Sequence, residues 1–177
     1  MDVARDALRV LLQALDELNV ATAAITFTPG NDANIFKSAA ENGGDPNVLR
    51  QRFSRISNLE IGVVKQFDES VKNALRRLPS IKGTGLTPLG EAMQIGAQRI
   101  ISRRENRKVM LVLTDGRAGC ESNDGSAVRH AQYISERIEA AGIELIGVGI
   151  LDDSLRTIVA DTIVVHQLED LPAQLCK

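Results

Sequence analysis

Apolar residues recur at helical spacing from Ala4 through Ala7, Leu8, Leu11, Leu12, Leu15 and Leu18, which marks one face of a helix. Asp2 stands where a helix is commonly capped, so the pattern predicts a helix over residues 2–18. The period then changes. Residues 21–28, ATAAITFT, read as a strand that Pro29-Gly30-Asn31-Asp32 breaks. Residues 31–57 are polar and rich in Gly and Asn, and read as a long excursion from the core with a short helix over 47–53. A second strand is predicted over 61–67 and a helix over 69–78.

The second half is more sharply patterned. Residues 80–87, SIKGTGLT, form a Gly-bearing loop, and Pro88 occupies the first helical turn, where proline is tolerated. Leu89, Ala92, Met93, Gly96 and Ile100 share one face of the helix that follows. VMLVLT, residues 109–114, is continuously apolar, the mark of a strand covered on both faces. A polar loop leads to a helix over 126–141, closed by Gly142 at a good C′ position. Residues 144–150 read as another buried strand, 162–165 as a short one, and 168–175 as a closing helix. Strands alternating with helices predict an α/β fold with a doubly wound, mostly parallel sheet and helices on both faces. Residues 21–28, 109–114 and 144–150 are expected to run parallel in that one sheet.

A length of 177 residues suits one domain over 1–177. Apolar residues make up 44% and aromatics only 3%, without Trp, so the core has to be built from Leu, Ile, Val and Ala. A net charge of −2 with interspersed signs argues against a nucleic-acid surface or a polybasic membrane patch. Cys120 and Cys176 form no motif and read as free thiols, which favours a reducing, cytoplasmic location. No secretory leader pattern opens the sequence, because Asp2, Arg5 and Asp6 interrupt any apolar run.

Ligands of open parallel sheets bind beyond the carboxyl ends of the strands. Thr87, Asp115 and the loop 116–125 with Glu121 and Asp124 fall there. A hydroxyl and a carboxylate at one sheet edge are hard oxygen ligands suited to Mg²⁺. Asp also ends many strands as a turn residue, and Thr before Pro often caps a helix, so these residues alone leave both roles open. His130 and His166 have no second His or Cys at ligand spacing and read as non-ligands. The run from Arg103 to Lys108 reads as a solvated helix end.

GLTPLGEAM, followed some twenty residues on by KVMLVLTDG, resembles the von Willebrand factor type A pattern. ELIGVGI and DTIVVHQLEDLPAQL are similar to the same family. The resemblance implies a Rossmann-like binding domain in which Thr87 and Asp115 are two ligands of a metal-ion-dependent adhesion site holding Mg²⁺. Within the family the chain is most similar to the C-terminal domain of the cobaltochelatase subunit CobT and its bacterial relatives. That implies a cytoplasmic multisubunit assembly, tied to cobalamin biosynthesis, with an AAA+ ATPase as protein partner. The family's first, central strand ends in Asp-x-Ser-x-Ser, which supplies three further ligands. That motif does not occur in these 177 residues, and residues 2–18 resemble the helix that follows it. The resemblance therefore implies an N-terminally incomplete domain with a partial site and weak or no Mg²⁺ binding.

A binding module without catalysis of its own is the expected function. The sequence holds no Gly-x-x-x-x-Gly-Lys-Ser/Thr loop, no Gly-x-Ser-x-Gly elbow and no Gly-x-Gly-x-x-Gly fingerprint. An enzyme on a doubly wound fold and a degenerate, metal-independent binding domain are the alternatives. A phosphoacceptor switch would want an acidic pair at an earlier strand end, which ATAAITFTPG does not offer.

Overall fold

The computed structural model describes residues 2–30, 40–45, 48, 59–83, 85–119 and 125–166. Helix α1, Asp2–Glu17, ends one residue short of the predicted limit. Asn19 adopts a left-handed φ of 55°. The Val20 N–H then reaches back to the Leu15 carbonyl at 2.9 Å and the Asn19 N–H to Asp16 at 2.9 Å, the paired bonds of a Schellman stop. Leu18 falls beyond that stop and is 72% exposed, although its spacing had suggested the buried face. Strand β1, Ala24–Pro29, follows. The predicted strand over 61–67 begins and ends two residues earlier, as β2, Leu59–Lys65. Helix α2 is one short turn, Val71–Leu75. The predicted helix over 69–78 gives way to a 3-10 turn, Leu78–Ser80, because Pro79 cannot donate the helical N–H.

The remaining elements keep close to their predicted limits. They are α3, Leu89–Ile101; β3, Val109–Thr114; α4, Ser126–Ala140; β4, Glu144–Ile150; and β5, Thr162–Val165, with a 3-10 turn that the sequence did not announce, Ser154–Thr157, between β4 and β5. Gly142, at φ 77°, ends α4 as expected. The short helix expected over 47–53 and the closing helix over 168–175 lie outside the described residues, apart from residue 48.

Strands β3, β4 and β5 form a parallel sheet in that order. One expectation is corrected. Strand β1 does not join this sheet; it pairs antiparallel with β2 in a separate two-stranded sheet. Period-two patterning fixes which residues form a strand, but says nothing about the direction of its partner. Among the described residues, β1 is hydrogen-bonded along one edge to β2, and β3 along one edge to β4.

Alternate residues of the parallel sheet divide between two clusters. Met110, Val112 and Leu145 pack with Leu89 and Met93 of α3 and with Ala131, Ile134 and Ile138 of α4. Leu111, Leu113 and Val148 belong with Ala7 and Leu11 of α1. A third cluster joins Leu8 and Leu12 of α1 to Ala24, Val64, Val71, Ala74 and Leu78. The helix thus serves both sheets with adjacent residues of one stripe. Lys65 is buried at 3% exposure, and its ammonium donates to the Thr22 carbonyl at 2.8 Å and the Gln66 carbonyl at 3.2 Å, which satisfies a charge that burial would otherwise penalise.

The basic run after α3 is engaged within the chain. Arg103 lies over the Phe67 ring at 4.5 Å, and Arg107 donates twice to the Glu144 carboxylate, at 2.9 and 2.8 Å. That hydrogen-bonded pairing holds the Glu144 carboxyl below the usual glutamate range. Arg77 on Glu69 and Arg103 on Glu105 act the same way. A carboxyl lowered in the folded state contributes stability that is complete above its unfolded range and is lost as pH falls through the folded value. Denaturant midpoints are therefore expected to hold steady near neutrality and fall in the acid range. Glu144→Gln should make the acid fall slightly shallower, since an exposed pair contributes little. An unchanged slope would remove this pair from the account.

Candidate functional site

Three chain segments converge at the carboxyl edge of the strands. The loop after β3 is shaped by Thr114, whose buried hydroxyl accepts the Gly116 N–H at 3.2 Å and donates to the Gly116 carbonyl at 3.0 Å. This hydroxyl turn holds Asp115 at the strand's end, with the residue exposed. Ala118 then dips into the main core at 8% exposure and anchors the loop from below.

Thr87 lies half-buried at the entry to α3. Its carbonyl accepts the Leu89 N–H at 2.8 Å and the Gly119 N–H at 3.1 Å. One oxygen therefore ties the start of the helix to the loop that carries Asp115. The hydroxyl faces the same loop: a Cβ built on Gly116 would lie 3.4 Å from Thr87 Oγ1. Leu86 closes the contact from the side, its Cδ2 lying 3.4 Å from a Cβ built on Gly119.

The third segment is the end of β1. Gly85 holds a left-handed φ of 68°, and a Cβ there would meet Pro29 Cγ at 2.9 Å. Glycine is required on both counts, since a side chain would be strained by the backbone and would strike the proline ring. The loop before α3 thus rests on the end of β1 while it is bonded to the loop after β3. The sequence had marked Thr87 and Asp115, and the structure brings their loops together. It had marked the loop 116–125 as a whole, without singling out Thr114, Gly116 or Gly119 as the residues that set the spacing. Glu121 and Asp124 lie outside the described residues.

The two histidines stand elsewhere. His130 of α4 faces Glu91 of α3, with Nδ1 3.5 Å from Oε1. His166 follows β5 and lines a surface cavity. Among the described residues no group of three or more His, Cys, Asp or Glu side chains gathers as a metal cluster. Among the described residues, the paired loops bring together the Thr87 hydroxyl and the Asp115 carboxylate as oxygen donors of the kind a cation takes. They suit hydrated Mg²⁺ in kind, because that ion keeps several waters and takes oxygen ligands, but they do not make a closed cage.

A parallel α/β sheet whose loops meet beyond its carboxyl edge has the open-sheet arrangement in which ligands commonly bind at that edge. A family model for the von Willebrand factor type A domain matches residues 53–171, well over half of the chain. The chain belongs to that family, whose members generally serve as protein-interaction modules. No solved structure matches it. Among the described residues, no helix is long and apolar enough to cross a membrane.

Proposed function

We propose that this domain, a single unit over residues 1–177, is a non-catalytic binding module that meets its protein partner through Thr87 and Asp115. The observation that carries the reading is the Gly119 N–H bonded to the Thr87 carbonyl, which keeps hydroxyl and carboxylate on adjoining loops. Thr87 and Asp115 would hold a hydrated Mg²⁺. The ion would supply a positive centre for a carboxylate on the partner. That β1 and β3 are each paired along a single edge among the described residues supports the expectation that one strand of the family's sheet belongs between them, bringing Asp-x-Ser-x-Ser to the same loops. Without that motif, Mg²⁺ binding is weak. The division of β3 and β4 residues between α1 on one side and α3 with α4 on the other supports a doubly wound sheet with helices on both faces. The similarity to CobT adds the proposal of a cytoplasmic, cobaltochelatase-type assembly with an AAA+ ATPase.

The test is a thermal melt with increasing Mg²⁺. Binding to the folded state alone, at ten times Kd, is worth about 1.4 kcal/mol, or a rise of roughly 3–6 °C for a chain of this size. Asp115→Ala should abolish the rise and Thr87→Val should reduce it. A partner that binds equally well to Asp115→Ala, in EDTA, would overturn the metal-dependent reading and favour a metal-independent module.

A further inference from the structure

A second feature at the carboxyl edge is not absorbed by the Thr87–Asp115 site. Beyond the ends of β4 and β5 lies an open cavity of about 430 Å³, lined by Arg117, Leu151, Asp152, Asp153, Arg156, Val164 and His166. It draws on the loop after β3, the turn after β4 and the residue after β5.

The turn after β4 is built in a costly way. Leu151 has a φ of 59°, a conformation that a bulky side chain rarely adopts. It is also 65% exposed, so no burial compensates for the strain. The surroundings enforce it. The Leu151 N–H is bonded to the Val165 carbonyl at 3.1 Å. The Asp152 carboxylate accepts the Ser154 N–H at 2.6 Å. A strained residue that its neighbours over-determine is a marker of function, and here it displays an apolar side chain at the mouth of a charged cavity.

The charges there are unequally committed. Asp152 is spent inside the turn: its hydrogen bonds from Ser154, aided by the field of Arg117, hold its carboxyl below the ordinary range. Arg117 and Arg156 form no ion pair with a described residue, and both are exposed. The formal charges of the two guanidiniums and two carboxylates cancel, yet the guanidinium N–H groups are the donors left over. A guanidinium matches a carboxylate through two parallel hydrogen bonds, and Val164 and Leu151 supply apolar wall beside them.

We propose that this cavity is a second recognition pocket, which takes an acidic residue flanked by an apolar one from a partner protein. Arg117 and Arg156 hold the carboxylate, and Leu151 packs against the apolar neighbour. The assignment rests on the reading of the domain as a protein-binding module, but it uses no metal and none of the Thr87–Asp115 ligands.

The probe is a short labelled peptide alternating glutamate and leucine, titrated into the whole chain in EDTA. Saturable binding is expected. The double variant Arg117→Gln, Arg156→Gln should weaken it at least tenfold, and Asp115→Ala should leave it unchanged. Leu151→Gly should raise the melting temperature by relieving the backbone, while weakening the peptide; a purely structural leucine would do only the first. No binding to the unsubstituted chain would overturn the proposal, as would equal binding to the double variant or tighter binding of a lysine–leucine peptide. Inorganic phosphate competing as well as the peptide would make this a general anion site and overturn it too. A peptide that binds only with Mg²⁺, and is lost in Asp115→Ala, would sink this pocket and leave the Thr87–Asp115 reading standing.

Discussion

Gly149→Ala is expected to destabilise the protein by about 3 kcal/mol or more, a fall in Tm of roughly 6–12 °C. Gly149 is paired in the middle of the parallel sheet, between Thr114 of β3 and Val164 of β5. A Cβ built there would lie 2.2 Å from the Asp152 carbonyl oxygen and 3.4 Å from its carbon. These are backbone atoms, and the strand beneath and the turn above are both hydrogen-bonded in place. No rotamer change relieves the overlap, so the tight return after β4 has to open. Gly142→Ala is the control: φ is 77° but no atom lies within 4 Å of the added Cβ. It carries only the left-handed backbone cost of roughly 1–2 kcal/mol. Equal melting temperatures for the two variants would show that the turn after β4 yields easily.

Leu78→Ala is expected to cost about 3 kcal/mol, within the range for leucines truncated in a packed core. Leu78 is 0% exposed and sits where α1, β2 and α2 meet, beside Leu12, Val64, Val71 and Ala74. Arg77, next to it, is fixed by a bond to the Val64 carbonyl at 2.8 Å and by Glu69 at 2.7 Å, so the segment is not free to collapse into the void. Leu18→Ala removes the same atoms from a residue 72% exposed and should change stability by less than about 0.5 kcal/mol. Urea midpoints of the two variants are the measurement. A loss at Leu78 no larger than that at Leu18 would mean that this cluster closes over the missing atoms.

These two leucines also show how far the sequence could be read. Both stand in apolar patterns. What separates them is the chain stop at Asn19, a left-handed residue that spacing alone does not reveal. Strands β3, β4 and β5 were legible because continuous apolar runs between amphipathic helices leave few alternatives. Strand β1 was legible as a strand but not in its pairing, since its partner β2 is remote in sequence and the ladder is made by backbone atoms common to every residue. At the site, Thr87 and Asp115 stood out through their chemistry and family pattern. The carbonyl of Thr87 and the glycines at 116 and 119 did not, because their part is played by main-chain atoms and by the absence of a side chain. The strain at Leu151 lay equally beyond sequence, for nothing in ELIGVGILDD announces a left-handed leucine.

The arrangement of α1 over two sheets has a consequence for how the molecule comes apart. Among the described residues no backbone ladder runs from β1 to β3, and side-chain packing is what joins the two sheets there. Leu8 and Leu12 of α1 hold one, Ala7 and Leu11 hold the other, and Phe27 adds a contact to the main core. Amide exchange in the β1–β2 ladder and in the β3–β5 ladder then measures two opening free energies. Their separation is set in part by a helix that belongs to neither sheet, alongside the stacking of Arg103 on Phe67, and a ligand that tightened the two loops beyond β1 and β3 would narrow it without touching either ladder.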